Sequence, residues 1–556
     1  MSLYYIVSAR KLIGSRKGKE FTAAGLPNVR DLGWFLLRIR VQQAKIRWPK
    51  SLGSLIWVPM RKRFEVQLTL GKTPIEKVLL PLKSRDELPP ILAGLKWIFL
   101  TPEINAQVFT LLEEKLVAGK KATGRPGLDL WQILVLGVVR LGLDCDYDRL
   151  EHLANYDSLL RQILGLSPVR TAEEKPFHYK TLSENICHVD DELLEQINAI
   201  VVQAGRAVFK KKDGGPAEPI FAKTDSYVLE TNVHFPTDLN LLWDAQRKCI
   251  DLAERLGKGR QLEGWRKAQD WRRKLKGQMR GVSKLSHGGG RNKEERVRAA
   301  AGSYLEDSER LEAKVFQTWQ ALREEPLEWA EIVQLTQLEY FHTALIGQMD
   351  LVERRLLRAE TIPHREKVFS LFEPHTQWIT KGKLFPPVEL GHPLLLTTDQ
   401  HGLILDYERL EFWPEVGAAI PVADRLLSRY GEGNIASLSF DKGFSRAEDR
   451  ELLELYIPQV IMPKRGQLNR SDEERESGER FRALRHQHAA VESDINCLEH
   501  HGLNRCLDKG LNGFERYIGF GVLAYNLHKI GARLLQRERE KVGAVVMLAD
   551  SERLAA

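Results

Sequence analysis

The feature of the sequence that most constrains its fold is an interrupted alternation of strands and helices. Strand-like segments occur at 219–235 and again within 393–462, whereas residues 239 to about 360 are almost all helical and rich in charge. Connections inside one domain are normally short. The sequence therefore predicts an α/β domain that is interrupted by a large helical insertion, and the insertion should fold as a domain of its own.

Several local patterns define the expected elements of this α/β domain. Residues 216–235 look like two strands, the second of which ends at Pro236, and Thr237 or Asp238 can cap the helix that follows. A short buried strand is expected at Ile435–Phe440 and an amphipathic helix at 480–500. Residues 102–206 have helical periodicity and predict a compact module, and the last amphipathic helix is expected at 512–537.

The distribution of charge favours an anionic partner. The whole chain has 83 Lys and Arg against 75 Asp and Glu, an excess of only 8. Residues 1–73 contain fifteen basic residues against three acids, and residues 255–298 contain fifteen against four. Basic charge is thus concentrated in two stretches, which is typical of proteins that bind nucleic acid. The alternative for either stretch is a solvated helix face.

Cysteine usage and hydropathy indicate the expected compartment. The five cysteines are scattered and form no CxxC pair, so a disulfide framework or a zinc site is not expected. The longest mostly apolar run, 130–139, is too short to cross a bilayer, and the start MSLYYIVSARK lacks the pattern of a secretory signal. We therefore expect a cytoplasmic protein without a membrane partner.

Three acidic residues occupy positions where an α/β sheet would expose them. Asp225 lies inside the first strand, where a carboxylate is an unusual choice, and Asp441 directly follows the strand IASLSF. In open α/β sheets, ligands bind at the carboxyl ends of strands. Glu492 belongs to a polar stripe on the helix 480–500, together with Arg485, His488, Asn496 and Glu499. Taken singly, Asp441 could instead cap a turn and Glu492 could be a solvated helix residue.

Carboxylates that converge in this way repel one another unless a cation lies between them. Their oxygens are hard ligands suited to Mg²⁺ or Mn²⁺. Two such ions can activate a water or a 3′-hydroxyl and stabilise the leaving oxygen in phosphodiester exchange, without a nucleophilic side chain. The sequence contains no G-x-S-x-G, Walker A or HExxH motif, which agrees with this chemistry.

Five segments in order resemble bacterial insertion-sequence transposases of the DDE class, whose catalytic domain has the ribonuclease H-like fold. GRPGLDLWQILVLGVVRLGL (124–143) begins a segment that resembles the helices preceding the catalytic domain in those enzymes. TDSYVLETNVHFPTD (224–238) resembles their first-aspartate segment, and FDKGFS (440–445) resembles the second-aspartate motif. Residues 373–404 are similar to the entry into their later strands, and VESDINCLEHHGLNRC (491–506) resembles the start of the glutamate helix and its continuation.

The resemblance implies a DDE triad of Asp225, Asp441 and Glu492, which would also bind two Mg²⁺ or Mn²⁺ ions. Some related transposases have a Tyr-Arg-Glu-Lys pattern around the glutamate. Here the corresponding positions, four before and seven after Glu492, are His488 and Glu499. Phosphate contacts from other basic residues would then be needed; the expected DNA contacts are Arg272, Arg273, Lys274, Lys276, Lys381, Lys383, Arg485, Arg505 and Lys509.

Together these observations predict a ribonuclease H-like mixed sheet with a helical insertion, preceded by a mixed and helical DNA-binding region. The expected segments are a basic region at 1–100, a helical module for transposon ends at 101–210, a catalytic domain at 215–245 and 365–535, a helical insertion at 246–364, and a poorly ordered tail at 538–556. The expected partners are double-stranded transposon ends and target DNA, bound by a homodimer in the bacterial nucleoid. Two alternatives remain, a metal-dependent nuclease that does not join strands and a non-catalytic DNA-binding protein derived from a transposase.

Overall fold

A computed structural model describes most of the chain. The described residues are Phe64, 71–118, 127–210, 218–260, 262, 264–380, 387–411 and 417–555, with side chains described as far as 543. They divide into two compact units. One unit contains Thr237–Pro374, and the other contains the described residues up to Pro236 and from His375 onwards. Of the expected segments, the insertion thus corresponds to a slightly longer stretch than 246–364.

A curled mixed sheet is the centre of the second unit. Its strands are β1 (Ile220–Thr231), β2 (Gln377–Ile379), β3 (Glu389–Thr398), β4 (Ile404–Arg409), β5 (Ile435–Phe440), β6 (Val460–Ile461) and β7 (Arg505–Cys506). The order is β2-β3-β1-β5-β6, with β4 paired to β3 and β7 paired to β1. Strand β1 runs antiparallel to β3 and parallel to β5 and β7, and β5 runs parallel to β6.

Strand β1 is one continuous strand, whereas the sequence predicted two strands in 216–235. The segment from Ile220 to Thr231 contains no Gly or Pro that would break it, and it is rich in aromatic and branched residues. Most of its residues are buried on both faces, because strands flank it on each side and helices cover the sheet. Its length allows β1 to pair with β5 over its first half and with β7 at its end.

Among the described residues, seven α-helices of this unit precede the sheet: α1 (Leu88–Leu100), α2 (Pro102–Leu116), α3 (Leu130–Gly142), α4 (Tyr147–Tyr156), α5 (Ser158–Ile163), α6 (Tyr179–Ile186) and α7 (Asp191–Gly205). Helix α3 is buried along its whole length, and Trp131 in it donates a hydrogen bond from Nε1 to the Ile163 carbonyl at 2.8 Å. These helices share one hydrophobic core with the sheet. The predicted module 101–210 is therefore not separate from the α/β unit.

In its described part, 237–374, the other unit contains four long helices: α8 (Asp238–Gly259), α9 (Ala268–His287), α10 (Lys293–Arg323) and α11 (Trp329–Leu356). Thr237 caps α8 by accepting a hydrogen bond from the Asn240 amide at 3.2 Å, as the sequence predicted. The glycines at 288–290 separate α9 from α10. Buried apolar residues of the four helices form a cluster separate from the core of the α/β unit.

The C-terminal part of the chain adds six helices to the α/β unit: α12 (Ala419–Tyr430), α13 (Ala447–Leu453), α14 (Arg470–Ser477), α15 (Glu479–His488), α16 (Ala490–Leu498) and α17 (Leu511–Ala555). The predicted helix 480–500 is divided after His488, because the Ala489 amide bonds the His486 carbonyl at 3.3 Å and tightens the turn there. A π-helical turn, Glu499–Leu503, follows α16.

Helix α17 is longer than expected. It packs along α1, α3 and α7, so that the end of the chain completes the core of the first helices. Its backbone continues through 538–555, where the sequence predicted a poorly ordered tail. No helix in the described ranges is long and apolar enough to cross a membrane.

Candidate active site

Asp225 lies in the middle of β1, on the face of the sheet that also carries Lys223 and Tyr227. Alternation along the strand places these three side chains together, because successive side chains point to opposite faces. Asp225 is half-buried, and its Oδ1 accepts a hydrogen bond from the Ser226 amide at 2.7 Å. Its backbone pairs with Leu396 on β3.

Asp441 immediately follows β5, at the carboxyl end of that strand. The parallel register pairs Lys223 with Ser439 and Thr224 with Phe440. Neighbours in a parallel pair point to the same face, so Ser439 shares the face of Lys223. Asp441 is extended at φ −73° and ψ 167°, and one further step of alternation places its side chain on the face of Asp225. The sheet thus brings both predicted aspartates to one face of adjacent strands.

Glu492 lies on α16, which packs against β1 and β3. The buried side of the helix consists of Val491, Asp494, Ile495 and Leu498, whereas Glu492 is exposed. Tyr227 shows which face of the sheet this region covers, since its hydroxyl donates to the Leu503 carbonyl at 3.0 Å in the π turn after α16. The helix with Glu492 therefore covers the face that carries Asp225.

Two further titratable groups, Lys223 and His488, lie at this face. Lys223 is only 7% exposed, and burial lowers the pKa of its ammonium while the carboxylates of Asp494 and Asp399 oppose that effect. Burial likewise lowers the pKa of His488, against the opposing charge of Asp441. His488 Nδ1 lies 3.0 Å from the Ser439 hydroxyl oxygen. His488, the last residue of α15, thus contacts β5, the strand that Asp441 follows.

The three predicted acids fit a divalent cation in their chemistry, since all are carboxylates, and Asp225 and Asp441 fit it in their placement. The fit is incomplete in geometry. Across the part of the chain that the structure describes, no group of three His, Cys, Asp or Glu side chains is close enough to hold a metal ion. Asp225 and Asp441 share a face of the sheet, and Glu492 is exposed on the helix that covers this face.

Two further acids near the predicted elements, Asp399 and Asp238, have structural roles. Asp399 is fully buried and accepts hydrogen bonds from the amides of His401 and Leu403 at 2.8 and 3.0 Å. Its other oxygen pairs with Arg206 at 3.3 Å. Asp238 begins α8 and pairs with Arg355 at 2.5 Å. Both acids have structural partners that explain their positions.

Glu389, at the start of β3, lines an acidic cavity of about 530 Å³. The cavity lies beside the end of β1 and the π turn, and its other lining residues are Asp144, Val228, Glu230, Glu499, Asn504, Arg505 and Leu507. Arg505 pairs there with Glu230 at 2.6 Å. Arg505 was predicted to contact DNA, and in the structure its guanidinium is paired with the Glu230 carboxylate.

The basic cluster predicted on α9 is divided in two by its partners. Arg272 pairs with Asp251 and Glu254 at 2.7 and 2.6 Å, and Lys274 pairs with Asp307 at 2.7 Å. Their charges are partly offset by carboxylates of the helical unit, although the Lys274 side chain is still 53% exposed, and a DNA contact by all four residues stays a prediction. Arg273 has an exposed side chain, 76% accessible and 3.6 Å from Asp270, and Lys276 is exposed.

The remaining predicted DNA contacts lie in different surroundings. Arg485 is exposed on α15, with Glu476 as a distant partner at 3.8 Å, and Lys509 is exposed before α17. Lys381 and Lys383 lie outside the described residues. Trp265, in the basic stretch 255–298, is 2% exposed and donates from Nε1 to Thr318 at 2.9 Å. Trp265 is a core residue of the helical unit.

The sequence analysis missed the contacts that hold α15 and α16 in place. Asp494 is 8% exposed and its Oδ1 accepts hydrogen bonds from the Tyr525 hydroxyl and the Lys529 ammonium at 2.9 and 2.8 Å. A buried acid two residues from Glu492 has no sequence signal that separates it from a surface acid. The polar stripe did include His488, but the partner of His488 depends on the register of β5.

Comparison of the chain with protein-family models, with curated proteins and with solved structures finds no match.

Proposed function

We propose that this chain is a DNA transposase that cleaves the ends of a mobile element and joins them to target DNA. The observation that carries the proposal is the placement of Asp225 and Asp441 on one face of the adjacent parallel strands β1 and β5. Two of the three acids that the sequence resemblance selected are brought together by the register of the sheet. More than two hundred residues separate Asp225 from Asp441 in the sequence, so their common face results from the pairing of β1 with β5.

The form of the sheet supports the proposed ribonuclease H-like catalytic domain. The central strand β1 has the antiparallel hairpin β3–β4 on one side and the parallel strands β5 and β6 on the other. This arrangement is compatible with that fold, and the helix with Glu492 covers the face where the aspartates lie. The helical insertion after β1 is the main elaboration of the proposed domain.

In the proposed reaction the carboxylates of Asp225, Asp441 and Glu492 would hold two Mg²⁺ or Mn²⁺ ions. When bound, such ions activate a water or 3′-hydroxyl and stabilise the leaving oxygen. The protein itself contributes position and charge. Asp225 is fixed by its strand and by the Ser226 amide, whereas exposed Asp441 and Glu492 are accessible to DNA.

Double-stranded DNA, as transposon ends and as target, is the proposed substrate, and paired ends would be held by a homodimer. The exposed side chains of Arg273, Lys276, Arg485 and Lys509 are the proposed backbone contacts, since accessible cations can reach phosphates and the carboxylates nearest to Arg273 and Arg485 are 3.6 and 3.8 Å away. Arg272, Lys274 and Arg505 are less suited to this role, because each is paired with carboxylates.

A strand-transfer assay separates this proposal from its two alternatives. The full chain is incubated with labelled ends of its own element and with target DNA, in Mg²⁺, in Mn²⁺ or in EDTA. A transposase gives cleaved ends and joined products that depend on the metal. Cleavage without joined products would identify a nuclease, and binding without cleavage would identify a non-catalytic DNA-binding protein; either result overturns the proposal.

A further inference from the structure

The junction between α15 and α16 lies beside β5, directly after which Asp441 is located. His488 is the last residue of α15, and Glu492 is one helical turn further along the chain. The imidazole Nδ1 of His488 is 3.0 Å from Ser439 Oγ, and Ser439 lies two residues before Asp441. A single side-chain contact therefore connects the helix region of the predicted glutamate to the strand of the second aspartate.

The hydrogen-bond geometry fixes the direction of this contact. Ser439 Oγ also lies 3.3 Å from the Ala222 carbonyl oxygen, which can only accept a hydrogen bond. The serine hydroxyl has one hydrogen. If it is donated to the Ala222 carbonyl on β1, the imidazole must donate from Nδ1 to Ser439. The chain of donors then runs from His488 through Ser439 to β1, and joins α15, β5 and β1.

The second nitrogen of the ring supports the same direction. Nε2 of His488 is buried and has no hydrogen-bond partner among the described residues. A buried N–H without an acceptor is costly, and buried N–H groups are satisfied more consistently than acceptors are. A neutral ring with its hydrogen on Nδ1 avoids a buried, unpaired Nε2–H. This tautomer agrees with the lowered pKa that burial gives His488.

We infer that His488 is a positioning residue, which holds the end of α15, one helical turn before Glu492, against β5 beside Asp441 by donating from Nδ1 to Ser439. This inference rests on the proposed function for its catalytic consequence. It also gives a role to the histidine that stands where some related transposases have arginine. In this chain the position contacts the sheet, and it leaves phosphate binding to other residues.

The first test measures the tautomer and does not depend on any activity. Nitrogen NMR of the full chain with ¹⁵N-labelled histidine distinguishes a protonated ring nitrogen from an unprotonated one, and His488→Asn identifies the signals of residue 488. We expect Nδ1 of His488 to carry the hydrogen and Nε2 to carry none. The nitrogen signal of Nδ1 should shift in Ser439→Ala. A ring protonated at Nε2 alone, or charged on both nitrogens at neutral pH, would overturn it.

The second test uses the shape of the replacement side chain. The amide N–H of Asn lies near the position of Nδ1, whereas that of Gln reaches the position of Nε2. His488→Asn should retain most of the single-turnover cleavage rate, and His488→Gln and His488→Ala should lose roughly 10- to 100-fold, the range expected for a small misplacement of a reacting group. Binding of DNA ends should be unchanged in all three variants.

His486 provides the matched control, because it is an exposed histidine on the same helix two residues earlier. His486→Ala should cleave at the wild-type rate. The double variant His488→Ala with Ser439→Ala should lose no more than the larger single loss, since both changes remove one contact. Losses that multiply, or equal rates for His488→Asn and His488→Gln, would show that the Nδ1 contact does not position the helix.

The two proposals can fail separately. If the wild-type chain neither cleaves nor joins DNA, the proposed function fails. The His488 contact is then still tested by the tautomer and by whether His488→Ala and Ser439→Ala have non-additive effects on thermal unfolding. If the wild-type chain is active and Nε2 carries the hydrogen, the His488 inference fails while the transposase proposal stands.

Discussion

Replacement of Arg140 by methionine should strongly destabilise the α/β unit. Arg140 on α3 forms two hydrogen bonds to Asp508, at 2.6 and 3.2 Å, across most of the length of the chain. The two side chains are only 4% and 8% exposed. The guanidinium also lies 4.1 Å from the centre of the Tyr147 ring. Arg140→Met keeps a long apolar side chain but leaves the carboxylate of Asp508 without its main partner.

The size of the effect follows from what remains around Asp508. Removal of one member of a buried ion pair costs about 3–5 kcal/mol. Arg516 stays within 3.5 Å of Asp508 and compensates in part, whereas the lost cation–π contact adds about 1 kcal/mol. We therefore expect the free energy of unfolding to fall by roughly 3–4 kcal/mol. Arg140→Met together with Asp508→Leu should recover much of that loss, because no buried charge is then left unpaired.

Urea unfolding followed by circular dichroism measures this effect through the midpoint of the transition. The expected loss corresponds to a lowering of the midpoint by about 1 M or more. The double variant should unfold close to wild type. A midpoint of Arg140→Met within about 0.2 M of wild type would refute the reasoning, and so would a double variant less stable than the single one.

Three further outcomes are expected. Gly531→Ala should destabilise the chain by about 1–3 kcal/mol, because a Cβ there would collide with the backbone of α1. Gly543→Ala on the same helix meets no neighbour and should raise the free energy of unfolding by up to about 1 kcal/mol. Thermal unfolding of the two variants and of wild type measures the difference. Burial raises the pKa of Asp191 to about 7, so the folded chain holds a proton that the unfolded chain has lost, and stability should fall as pH rises from about 4 to about 7. Asp191→Asn should remove that slope in urea titrations at pH 5 and pH 8, and an unchanged slope would show that Asp191 is ionised in the fold. Finally, the double variant Arg273→Ala with Lys276→Ala should lower the slope of log DNA affinity against log salt by the equivalent of about two phosphate contacts. Arg272→Ala should change this slope little, because Arg272 is paired with Asp251 and Glu254. Equal slopes in wild type, the double variant and Arg272→Ala would exclude α9 from the DNA interface.

Local sequence signals predicted the elements with clear boundaries. Strand β5 was predicted at Ile435–Phe440 and is found there, since an apolar run lies between glycines and the Asp441-Lys-Gly turn. The helical character of residues 239 to about 360 was predicted from their charge and periodicity, and the long helices α8 to α11 lie there around a cluster of buried apolar residues. Asp225 and Asp441 could be selected because a carboxylate inside a strand, or at its end, departs from the usual pattern.

Features that depend on distant contacts could not be predicted. Residues 101–210 looked like a separate module because their helical pattern is local, but α17, far along the chain, completes their core. The partners of Arg272 and Lys274 come from other helices of the insertion, so the sequence showed only a basic cluster. The contact of His488 with Ser439 depends on how α15 docks on β5, which no spacing in the sequence determines.

Binding of Mn²⁺ to the full chain, followed by the electron paramagnetic resonance of the free ion, tests the proposed metal site most directly. The variants are Asp225→Asn, Asp441→Asn and Glu492→Gln, with Asp424→Asn, an exposed acid on α12, as the matched control. Loss of a carboxylate ligand should weaken binding by at least about tenfold, because Mn²⁺ prefers charged oxygen ligands. Wild type and Asp424→Asn should bind Mn²⁺ equally, and each of the three other variants should bind it more weakly. Wild-type affinity in Asp225→Asn and Asp441→Asn would contradict the account, since the two aspartates that the sheet brings together would then hold no metal.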